Sequence, residues 1–222
     1  MKIAMLTLAA AGPVALGAPI IGFVEDFNTD GANWKDVAEL DAVYSAAGGP
    51  DGSGFISGSI ADVYALDPTF GGIALRAHDE FDSSGDAFVG DWLAAGITLV
   101  SVDVRHDGGD DVGFFIRAAR PSNSPAAVFF SPVAVASGQW TTLTFAIDEN
   151  SPFYVPAGPP SPTFFQDVMG DVGNFQLGVA AGPNYSGNAS VTFDLDNVRL
   201  LPTPASAGLL GLGGLVAARR RR

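Results

Sequence analysis

Several stretches of the chain alternate apolar and polar residues with a period of two. In residues 97–105, Val100, Val102 and Val104 are separated by Ser101, Asp103 and Arg105. That is the side-chain period of a strand with one buried face. Leu143, Phe145 and Ile147 repeat the pattern, as do Phe175, Leu177 and Val179. Further apolar runs at 20–27, 37–45, 55–60, 71–77, 112–119, 127–135 and 190–201 read as strands. They are bounded by turn formers such as residues 48–54 and 106–111. Residues 61–70 fit no single pattern, and 79–86 form an acidic loop. Residues 88–95 and 164–169 read as single helical turns, and 150–162, with five prolines, as a long loop. Some nine or ten short strands without strand–helix alternation predict an all-β fold, an antiparallel β-sandwich of the jelly-roll type.

The last strand carries an irregularity. Val191, Phe193 and Leu195 lie on odd positions, Val198 and Leu200 on even ones. The inward face changes parity, so one extra residue sits at Asp196–Asn197. A β-bulge there re-aims the Asp196 carboxylate.

The two ends depart from the strand pattern. Residues 1–17 read as a secretory signal peptide: Lys2 is the positive start, 3–11 the apolar region, and Ala15 and Gly17 the small residues before the cut. A flanking signal helix and a short C-terminal hydrophobic helix are expected around a domain spanning 18–201. The final segment, 202–222, runs Pro202, Thr203, Pro204, then fourteen residues of Ala, Gly, Leu, Ser and Val, then Arg219, Arg220, Arg221 and Arg222. As a helix the apolar part spans about 21 Å, short of a ~30 Å hydrocarbon core. The arginines stop transfer and remain cytoplasmic. The segment reads as a sorting signal or as a plain membrane anchor.

Charge narrows the partners. The whole chain carries −13. Between the two ends, six basic residues stand against 24 acidic ones, a net −18. Such a surface repels nucleic acid and anionic lipid head groups. It suits Ca²⁺, which takes oxygen ligands, and it also serves plain solubility. The absence of cysteine excludes thiol catalysis, disulfides and thiolate metal sites. Two histidines, His78 and His106, are too few for a multi-histidine metal centre.

Asp26-Phe27 with Trp34 beyond it, the loop Gly49-Pro50-Asp51-Gly52-Ser53-Gly54, Gly138-Gln139-Trp140 before a strand, and the ending Phe193 to Leu200 occur in one order. Together, over roughly 23–201, they resemble jelly-roll carbohydrate-binding modules of the galactose-binding type. The resemblance implies a polysaccharide partner and a structural Ca²⁺ tying the first strand to the last. Carried over, the ligands are Asn28, Asp51 and Asp196. Asn28 stands where the family usually has Glu, so it brings an oxygen without a charge; Asp26 or Glu25 would substitute for it. The tail resembles the PEP-CTERM sorting signal of bacterial exported proteins, with Thr203 in place of the usual Glu. It implies an exosortase-type sorting enzyme as partner. It also implies a location in the cell envelope or outside it, with the chain held transiently or permanently at the inner membrane.

Sugar binding needs exposed aromatic faces. Trp92, Trp140, Tyr154, Tyr185 and Tyr64 are candidates. Trp34 and Trp140, at strand edges, read as core. Trp92 and Tyr185, the latter in a Gly-Pro-Asn-Tyr loop, are the expected ligand-binding residues. A catalytic reading would use His78 with Asp79, Glu80 and Asp82, but a glycosidase needs two carboxylates across a cleft. A dense acidic loop reads as a solvated face. No nucleophile elbow, metalloprotease helix or phosphate loop is present. The sequence therefore predicts a non-catalytic exported protein that binds polysaccharide or contributes to extracellular matrix. The alternatives are a purely structural or adhesive surface protein and a polysaccharide-active enzyme.

Overall fold

The computed structural model describes residues 18–67 and 70–202. The signal segment, and Thr203, Pro204 and the four terminal arginines, lie outside the described residues. In chain order the strands are β1 (Val24–Glu25), β2 (Lys35–Asp36), β3 (Val43–Ser45), β4 (Phe55–Ile60), β5 (Gly72–His78), β6 (Ile97–His106), β7 (Val112–Ala119), β8 (Ala126–Val135), β9 (Thr141–Ala146), β10 (Tyr154–Ala157), β11 (Asn174–Ala180) and β12 (Val191–Pro202). Among the described residues one α-helix, α1 (Phe164–Met169), precedes β11.

The strands form two sheets, and every pairing is antiparallel. The first sheet has the order β3-β4-β12-β6-β9, with β1 added to β12. The second has the order β10-β8-β7-β11-β5-β2. Successive strands repeatedly cross between the sheets, which gives the expected jelly-roll sandwich.

Period-two alternation builds the core between them. Val100, Val102, Val104, Leu143, Phe145, Phe193 and Leu195 face in from the first sheet. Leu75, Ala77, Ile116, Ala118, Phe129, Phe175 and Leu177 face in from the second. At one end Trp34 is packed edge-on against Phe27, Phe88 and Phe175, with centroids 5.7, 5.8 and 6.0 Å away. Each fully buried large side chain stabilises the fold by about 1.5–3 kcal/mol, and each aromatic pair adds roughly 0.5–1.5 kcal/mol.

The bulge in the last strand is present. Asp196 pairs with Asp103, but Arg199 pairs with Ser101. Two residues therefore face one, and Asn197 takes a left-handed φ of 51°.

Other expectations change. The apolar run 20–27 pairs only at Val24–Glu25. The run 37–45 is split, because a turn at 36–40 sends Lys35–Asp36 to one sheet and Val43–Ser45 to the other. Residues 88–95 form turns rather than a helix. The proline-rich loop contains β10. Pro156 is tolerated there because β10 is an edge strand, paired on one side only. The acidic stretch 79–86 is two 3₁₀ turns.

Candidate functional site

Trp92 is 0% exposed, and its indole N–H donates to the Phe88 carbonyl at 2.8 Å. It packs beneath Phe175 and cannot present a face to a ligand, which corrects the expectation for it. The turn at 88–95 folds inward, so its aromatic fills the end of the sandwich. Tyr185 is half-buried. Its hydroxyl donates to the carbonyls of Gly108 and Asn188, and its ring leans on the exposed Tyr64 at 5.5 Å. Trp140 is half-buried rather than core. Arg105 covers its ring at 4.7 Å, and its N–H donates to the Gly48 carbonyl.

The loop 48–54 closes over Asp196. Ser53 Oγ donates to Asp196 Oδ2 at 2.6 Å, and Ser53 N donates to Asp51 Oδ1 at 3.0 Å. Ser53 thus links the two acids. A Cβ on Gly49 would lie 2.8 Å from Asp196 Oδ2, so only glycine lets the loop close this tightly. Asp196 is fully buried, and burial pushes its carboxyl up to about 6. Asn28 stands at the neighbouring turn, where its carbonyl accepts the Tyr44 hydroxyl at 3.4 Å. Among the described residues, no three His, Asp or Glu side chains form a metal cluster.

His78 and Glu80 do meet, with Nδ1 3.3 Å from Oε1. His78 is nonetheless a buried member of a larger network. Its ring stacks on Phe81 at 5.4 Å. Burial holds its pKa below the usual value, against the opposing hydrogen bond from Glu80.

That network occupies the outer face of the second sheet. Register places Lys35, Arg76, Gln176, Arg117 and Val128 side by side on five consecutive strands. Their sequence neighbours face the core, so this row faces away from it. Arg117 Nη1 donates to Gln176 Oε1 at 2.8 Å and to Asn123 Oδ1 at 2.6 Å. Its Nη2 donates to the Asn123 carbonyl at 2.6 Å. Because a guanidinium only donates, the Gln176 amide is oriented with its nitrogen toward His78 Nε2, 2.9 Å away. His78 Nε2 therefore accepts, and the ring proton sits on Nδ1 facing Glu80.

Beside this row lies an apolar hollow of about 210 Å³, lined by Phe70, Ile73, Phe115, Val128, Ala157 and Arg117. Phe115 is tilted against Phe130, with centroids 5.2 Å apart, and Phe70 is 42% exposed. None of the row was singled out from sequence. The available signal was a polar residue at an alternate position of an apolar strand: Arg76 between Leu75 and Ala77, Arg117 between Ile116 and Ala118, Gln176 between Phe175 and Leu177.

No family model and no curated protein matches the chain. Solved structures do. A family 11 carbohydrate-binding module of a cellulosomal cellulase from Clostridium thermocellum is 16% identical, with 84% of this chain and 97% of that one covered and a TM-score of 0.50. The C-terminal family 22 carbohydrate-binding module of xylanase 10B from the same organism is 11% identical, with 82% and 96% covered and a TM-score of 0.42. A longer piece of that xylanase, a family 22 module with its family 10 hydrolase module in complex with xylohexaose, is 14% identical with a TM-score of 0.40. There the match covers 79% of this chain but only 27% of the other. At these identities the likeness is one of fold, the antiparallel jelly-roll sandwich of carbohydrate-binding modules.

Proposed function

We propose that this chain is an exported, non-catalytic β-sandwich that binds polysaccharide on the outer face of the β2-β5-β11-β7-β8-β10 sheet. One observation carries the reading: an aromatic-lined hollow lies directly beside a row of polar groups that hold one another in place. A sugar ring offers an apolar face and a rim of hydroxyls, and it needs both kinds of surface at once. Groups already ordered by mutual hydrogen bonds lose little freedom on binding. The shared fold with carbohydrate-binding modules supports the same reading. The test is affinity electrophoresis of the protein through gels containing soluble glucan, xylan, mannan or uronate polymers. Retardation by at least one polymer, abolished by Phe70→Ala, is expected. Free migration through all of them would overturn the reading in favour of a structural or adhesive role.

Two further parts belong to this proposal. Asp196 and Asp51, with the Ser53 hydroxyl, offer the hard oxygen donors that Ca²⁺ prefers. A calcium ion there would neutralise a buried carboxylate and pin the 48–54 loop to the last strand. Asn28 would contribute from the adjoining turn. The N-terminal signal and the PEP-CTERM-like tail would carry the domain to the cell envelope. Cell fractionation tests this: the full chain is expected in envelope or matrix fractions. A variant ending at Pro202 is expected in the medium, and an unchanged distribution would overturn the sorting role.

A further inference from the structure

We infer that the polysaccharide is acidic, and that the Arg117 guanidinium receives the carboxylate of a uronate-type sugar seated in the hollow. The inference rests on the glycan-binding reading and names the ligand class for that same face.

The charge accounting singles out Arg117. The domain carries a net −18, and most of its cations are taken. Lys35 pairs with Asp41, Arg76 with Glu39, Arg105 with Asp194 and Arg120 with Asp171. Arg199 is exposed, with a contact to the Asn197 amide. Arg117 is half-buried, and its acceptors are neutral amides and a carbonyl. Among the described residues no carboxylate bonds to it. In a protein with acids to spare, a desolvated guanidinium without a counter-ion costs free energy that an arriving anion would offset.

Its hydrogen-bonding capacity is also unfinished. A guanidinium has five N–H donors. Asn123 clasps the edge between Nη1 and Nη2, and Gln176 takes the other Nη1 hydrogen. Nε and one Nη2 hydrogen remain, the pair that grips a carboxylate side-on. Among the described residues, Arg117 is the only charged one lining the hollow. The other walls are apolar, which suits the ring of a singly charged sugar. A planar carboxylate matches the side-on fork, and a single charge per ring limits repulsion from the acidic surface.

Titration of the full-length protein with short oligogalacturonates and with their methyl esters tests the inference, because esterification removes the charge and adds no more than a methyl group. The acid form is expected to bind at least roughly ten-fold tighter, as one bidentate charge-assisted contact would provide. That advantage should shrink as salt rises. Arg117→Gln should abolish it, and so should Arg117→Lys, which keeps the charge but not the fork. Thermal melting shows whether each variant is folded; if neither is, the acid–ester comparison on the wild type decides alone. Equal or tighter binding of the ester, or of neutral xylan or glucan, would overturn the acidic ligand while leaving the glycan reading intact. Tighter binding of a sulfated polymer than of the uronate would overturn the carboxylate assignment. No binding to any saccharide would sink both readings together.

Discussion

Phe115 reaches over Gly178 on the neighbouring strand: a Cβ at position 178 would fall 2.0 Å from the tip of the ring. The missing side chain makes room for an aromatic on the outer face of the sheet, at the floor of the hollow. Gly178→Ala should therefore force the ring off its seat, and overpacking of this kind costs about 1–3 kcal/mol. Urea denaturation should show the loss, and affinity electrophoresis should show weaker glycan retention, since the displaced ring enters the hollow. A variant unchanged in both would mean that the ring yields freely and does not shape the site.

How much of this could be read from the sequence depends on how local each feature is. The bulge at Asp196–Asn197 was legible because a parity change is written within one strand. Strand β10 was hidden by Pro156, which argues against a strand unless the strand is known to be an edge. Trp92 was misplaced because a turn composition says nothing about which way the turn folds. The row of Arg76, Gln176 and Arg117 depends on register between residues far apart in the chain, Arg76 with Gln176 and Gln176 with Arg117, and no local pattern encodes it. Only the odd polar residue within each apolar strand hinted at it.

Burial assigns Trp92 to the core, and two substitutions test that assignment. Trp92→Ala should destabilise the fold by about 3–5 kcal/mol. Trp92→Phe keeps most of the packing but leaves the Phe88 carbonyl without its indole donor, for about 1–3 kcal/mol. Neither should change glycan affinity per folded molecule. A loss of affinity in folded Trp92→Phe, with stability unchanged, would restore Trp92 to the binding surface.

His78 should make the polar row sensitive to pH. Its Nε2 accepts from Gln176 only while the ring is neutral. Burial lowers its pKa in the folded protein below the unfolded value, near 6.5. The folded state then binds fewer protons than the unfolded chain. This contribution to stability is complete above about pH 6.5 and is lost as pH falls through the folded pKa. Protonation sets two donors against each other at His78 and Gln176, and so loosens the residue that positions Arg117. Glycan affinity should fall over the same acidic range, and His78→Gln should flatten that dependence. Titrations at several pH values check this; an unchanged slope in His78→Gln would show that His78 does not carry the pH response.

The sharpest test of calcium lies in the buried Asp196. At neutral pH its carboxylate is ionised beneath the 48–54 loop, with Ser53 and the Asn197 N–H as its partners and, among the described residues, no basic side chain paired with it. If Ca²⁺ binds there, it stabilises the folded state by mass action, by about 2.7 kcal/mol at a hundred-fold excess over Kd. EDTA should therefore lower the melting temperature of the wild type. Asp196→Asn should lose that response. In chelator it should be at least as stable as the wild type, because it removes a desolvated charge while keeping an oxygen for Ser53. Equal melting of the wild type with calcium and with EDTA would show that the loop closes on Asp196 through Ser53 alone.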